Sequence, residues 1–149
     1  MSHLICTSAL IALILLMQFS FTYVVDNMRT EMIRRELKEI TDYVSDTLAN
    51  LYFLANSTDS SSITLQKILS LPSDVEGSTF IINITSNEDF AQSIYAWIKG
   101  NSRIDVSSWV SPSLRVGNQS QTIESGGKTV VAGCRRGVDL DVYVWIAYD

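Results

Sequence analysis

From Leu4 to Val25 the chain runs through 22 residues without a charge, and neither proline nor glycine occurs before Pro72. At about 1.5 Å rise per residue such a run makes a helix of roughly 33 Å, enough to cross the hydrocarbon core of a bilayer. A secretory signal peptide would open on basic residues and close its short apolar stretch at a small-residue cleavage site. Here the opening "MSH" carries no Lys or Arg, and "MQFSFTYVVD" (17–26) offers no such site. The run is therefore expected to stay in the mature protein. Leu4, Ile5, Leu10, Ile11, Leu13, Ile14, Leu15, Leu16, Phe19, Phe21 and Val24 are its candidate membrane or assembly residues.

The helical pattern continues past Asp26. Ile33, Leu37, Ile40, Val44, Leu48, Leu51 and Ala55 recur at steps of three and four and form one apolar stripe. Glu31 with Arg35, and Arg35 with Glu39, are spaced for i,i+4 pairing on other faces. The economical reading is one helix over residues 1–55, half in membrane and half projecting, then a polar linker over 56–62 ("NSTDSSS"). Two partners are open to the stripe: the chain's own later residues, or helices of neighbouring copies. The first accounts well for Val44 to Leu54 and less well for Ile33 and Leu37, which lie close to the bilayer.

After the linker the period changes. "STFIINIT" (78–85) alternates, with Phe80, Ile82 and Ile84 on one face. "QSIYAWI" (92–98), "TVVAGC" (129–134) and "VYVWIAY" (142–148) are rich in β-branched and aromatic residues. Residues 63–71 and 104–110 are weaker strand candidates. "LPSDVEG", "KGNS", "ESGGK" and "RRGVDLD" supply turns between them. The last strand is apolar on both faces and is expected to be buried on both. The predicted fold class is α+β: a long N-terminal helix, then a small antiparallel β-sandwich-like or open-barrel domain over residues 63–149.

Sixteen acidic against eleven basic residues give a net charge of −5, which speaks against a nucleic-acid partner held through phosphates. Three acceptor sequences for N-glycosylation, at Asn56, Asn83 and Asn118, would matter only outside the cell. The cluster Arg29, Arg34, Arg35 and Lys38 after the apolar run would by the positive-inside rule stay in the cytoplasm. A short basic leader ahead of the run, or balance by Asp26, Glu31, Glu36 and Glu39, reconciles the two signals. An outside domain is the expectation.

Catalytic chemistry finds little purchase. His3 is the one histidine, so no second His exists to serve as base or metal ligand. "ESGGK" lacks phosphate-loop spacing and reads as a hairpin turn. Arg135 and Arg136 could depress the pKa of Cys134, but a small apolar residue at a strand end is the plainer reading. Asp139, Asp141 and Asp149 could meet at one rim around Ca²⁺, although "DLD" is no EF-hand loop. No enzyme activity, cofactor or metal is expected.

"SHLICTSALIALIL" (2–15), with Ser2 and Thr7 ahead of a Leu/Ile run, resembles the start of mature archaeal type IV pilin-like proteins, the pilins and archaellins. The layout of long helix, then β domain, is similar across the whole chain. It departs in having Cys6 where a glycine often precedes the threonine, and in showing no basic leader. The resemblance implies a structural subunit that sits in the membrane first and then polymerises through its helix into an extracellular filament. Its partners would be copies of itself and other pilin-like subunits. Cys6, Thr7, Ser8, Ala9 and Ala12 would then let helices approach closely. The alternative is a single-pass anchored binding or accessory module that does not polymerise.

Overall fold

The computed structural model describes residues 2–58, 62–87, 90–111, 114–116, 122–137 and 141–149. The chain is α+β. One helix, α1 (Ser2–Ser57), precedes β1 (Ile63–Leu69), β2 (Phe80–Asn87), β3 (Phe90–Ile98), β4 (Asn101–Trp109), β5 (Arg115–Val116), β6 (Thr122–Glu124), β7 (Val130–Arg136) and β8 (Val142–Tyr148). Two compact units result, Met1–Ile33 and Arg34–Asp149. Their boundary lies inside α1 and not at the polar stretch 56–62. That stretch in fact begins as helix, since Asn56 and Ser57 complete the last turn.

Within the second unit the strands follow the order β1-β7-β8-β5-β3-β2-β6, with β4 also on β3. Two antiparallel blocks, β1-β7-β8 and β6-β2-β3-β4, are bridged by the two-residue β5. It runs parallel to β8 through Arg115↔Tyr143 and Val116↔Val144, and meets β3 at Phe90↔Arg115. The register puts Phe80, Ile82 and Ile84 of β2 opposite Ile98, Ala96 and Ile94 of β3, and all six are buried. Val142, Val144 and Ile146 of β8 share a buried face with Ala132 and Cys134 of β7 in the same way.

The later half of α1 closes this core. Leu37, Ile40, Val44, Leu48, Leu51 and Ala55 are buried, as is Ile33. So the stripe from Leu37 onward belongs to the chain's own β-rich unit, including the part that its nearness to the bilayer seemed to leave over. At about 1.5–3 kcal/mol for each large aliphatic side chain removed from water, this seam is a main source of the unit's stability.

Two turns show why particular residues were needed. Val75 and Ser78 exchange both backbone hydrogen bonds at 2.9 Å around Glu76 and Gly77, each with positive φ. That is the type I′ geometry in which a glycine costs least. Lys99–Gly100 joins β3 to β4, so the expected turn over 99–102 shrinks to two residues and Asn101 begins the strand.

Other expectations need correction. "ESGGK" is no hairpin turn, because β6 pairs with β2 whereas β7 pairs with β1 and β8. The strand β8 is not buried equally on both faces: Tyr143 and Ala147 are half-buried and Tyr148 is exposed. Trp145 is buried there because its indole lies over its cross-strand partner Gly133, filling the space a Cβ would occupy. β1 ends at Leu69, two residues short of the expected limit.

Candidate functional site

In the first unit, every side chain from residue 6 to residue 29 is exposed. Leu10, Ile11, Leu13, Ile14, Leu15, Leu16, Phe19, Phe21 and Val24 are all among them, with Phe19 exposed to 74%. Leu13 to Leu16 are consecutive, so steps of about 100° carry them right round the helix. This is a helix apolar on all sides, the signature of a segment that lives in lipid or among other helices. Leu4 and Ile5 are helical, and their side chains lie outside the described ones. By length and composition α1 can cross a membrane. Thr22 suits that setting, since its hydroxyl donates to the Gln18 carbonyl one turn back, at 3.0 Å.

In the second unit, polar contacts fasten α1 to the sheet. Lys38 Nζ donates to Asp42 Oδ1 at 2.8 Å, to the Ser107 carbonyl at 3.0 Å and to Ser108 Oγ at 2.8 Å. Ser108 Oγ also bonds Asp42, and lies 2.9 Å from Thr41 Oγ1. Arg34 reaches the Arg103 carbonyl at 3.3 Å, and Ser45 Oγ donates to the Trp109 carbonyl at 2.8 Å. Among the described residues β4 pairs with β3 alone, so these side chains cover its other edge. At the far end Arg136 donates to the Ala55 and Thr58 carbonyls, capping the last turn of α1. Lys67 of β1 stands 5.4 Å from the centre of the Tyr43 ring, an exposed charge on an edge strand.

Burial disfavours the charged form of Asp42, but hydrogen bonds from Lys38 and Ser108 and the Lys38 charge outweigh it. Its carboxyl therefore lies below the ordinary carboxylate range. Burial pushes the Cys134 thiol up to about 11, so the neighbouring arginines do not activate it. Arg135 is exposed, and Arg136 is turned toward the end of α1.

The remaining candidates scatter. Among the described residues no three His, Cys, Asp or Glu side chains come together. Asp141 pairs with Arg115 at 2.5 Å, and Asp139 lies outside the described residues, as does Asn118. Asn56 is exposed at the end of α1, and Asn83 is half-buried in the middle of β2. Sequence reasoning missed the cover over the β4 edge. Its signal, polar residues at 34, 38 and 45 beside the apolar stripe, can be read only once β4 is known to lie there. Comparison with family models, with curated proteins and with solved structures finds no match to this chain.

Proposed function

We propose that the chain is a structural, pilin-like subunit that is held in the membrane by its apolar helix and then polymerises through it. The product is an extracellular filament of the archaeal type IV pilus kind, serving adhesion or motility. The observation that carries this reading is the exposure of every side chain from residue 6 to 29, on a helix whose later half buries its apolar stripe within the chain's own β-rich unit. Such a surface is satisfied by lipid before assembly and by neighbouring helices after it. A head-to-tail contact that does not close on itself generates an open filament. The side chains of α1 over the β4 edge and the charge of Lys67 on β1 work against pairing at those strands, which supports association through the helix. The reading assigns the chain no catalysis, cofactor or nucleic-acid partner.

A second reading has one observation in its favour. Trp109 is 87% exposed on the sheet, which suits an anchored binding module. Filaments sheared from cells without detergent, imaged by electron microscopy and identified by mass spectrometry, separate the two. A helical filament composed mainly of this chain supports the pilin reading. Recovery only as a detergent-extracted monomer sinks it and favours the anchored module.

A further inference from the structure

The face of β2, β3 and β4 that turns away from α1 carries aromatic side chains around an acceptor asparagine. Asn83 stands directly opposite Tyr95, and Ile81 opposite Trp97. Tyr95 is opposite Ser107, and Ser93 opposite Trp109, which places Trp109 diagonally beside Tyr95. Tyr95 is 40% exposed and Trp109 87% exposed. Paired exposed rings on a sheet mark a surface that something covers. Asn83 lies two strands from Trp109, about 10 Å at ordinary strand spacing. Thr122 donates to Asn83 Oδ1 at 3.3 Å, so the amide oxygen is held and the nitrogen, the atom that would accept a sugar, is free of that bond.

We infer that Asn83, in the sequence Asn83-Ile84-Thr85, carries an N-linked saccharide of more than one unit that lies across Tyr95 and Trp109. The inference rests on the proposed location of this unit outside the cell. The transfer forms a bond from Asn83 Nδ2 to the anomeric carbon. It breaks that carbon's bond to the phosphate of an activated glycosyl carrier, and the amide proton leaves with the phosphate group. Sugar rings offer apolar C–H faces to the indole and phenol, which are apolar bodies with a polar tip. Their hydroxyls find Ser93, Ser107 and Thr85 on the same face. The occupant is specified by its tether, since Asn83 is beside the rings that need cover.

The test is glycopeptide mass spectrometry on the full chain from its native cells, with acrylamide quenching of tryptophan emission in the same preparations. The expected result is a saccharide mass on the Asn83 peptide that Thr85→Ala and Asn83→Gln both remove. Thr85→Ala, which keeps the Thr122 bond to Asn83, should quench more strongly than wild type. Trp109→Phe should abolish that difference, and Asn56→Gln should leave it in place. An unmodified Asn83 overturns the inference, and so does a modified Asn83 whose loss leaves quenching unchanged. Protection of Trp109 that persists in Thr85→Ala also overturns it, pointing to a second copy as the cover. Filaments with an unmodified Asn83 would sink this inference alone, whereas a membrane-held monomer with a modified Asn83 would sink only the filament.

Discussion

The two halves of α1 share one backbone, yet they solve opposite problems. From residue 6 to 29 apolar side chains point in all directions and none is buried. From Leu37 to Ala55 the stripe Leu37, Ile40, Val44, Leu48, Leu51 and Ala55 is buried on the sheet, with Lys38, Ser45 and Arg136 fixing its ends and flank, while Phe53 and Leu54 stay exposed off it. The first half is both richer in apolar residues and apolar on every side, whereas the second confines them mostly to one stripe. A one-sided stripe can be satisfied by one sheet, but a helix apolar all round needs a surrounding medium.

The comparison breaks most sharply at Leu13. A Leu13→Arg change costs about 2.5–3.5 kcal/mol at a bilayer centre, and it should abolish filaments in a shearing assay while leaving the thermal unfolding of the second unit unchanged. A drop in that unfolding temperature would show that the two halves are not independent. Leu48→Ala tests the other half: it should cost the β-rich unit about 2–5 kcal/mol, read by denaturant unfolding, where Leu13→Ala costs that unit nothing. Gly133→Ala comes next, at about 1–3 kcal/mol, because the new methyl must displace the Trp145 indole.

The smallest effect is set by pH. Because the folded carboxyl of Asp42 lies below its unfolded value, its contribution is complete above the ordinary carboxylate range. It is lost as pH falls through the lowered folded value. Asp42→Asn should flatten the acid limb of the unfolding profile, and an unchanged limb would assign acid sensitivity to other carboxylates.

Much of the helix was legible because its signals are local. The run from Leu4 to Val25 is uncharged, the stripe keeps its period from Ile33 to Ala55, and no proline interrupts either. The α+β class and strands such as β2 and β8 were legible for the same reason. β5 and β6, two and three residues long, carry no periodicity to read. Their strand character comes from neighbours distant in sequence. The same holds for Trp145, buried only because Gly133 stands opposite, and for Asn83 beside Tyr95, which depends on a register that sequence does not print.

The polar side chains along β4 have a consequence for life at high density. Copies gathered by their helices would sit shoulder to shoulder, where open strand edges invite zippering into β-rich aggregates. With Arg34, Lys38 and Ser45 occupying carbonyls of β4, and the charge of Lys67 on β1, neither long edge offers a clean template. In the proposed filament, neighbouring heads would therefore crowd without fusing, and the order of the assembly would be left to the helices.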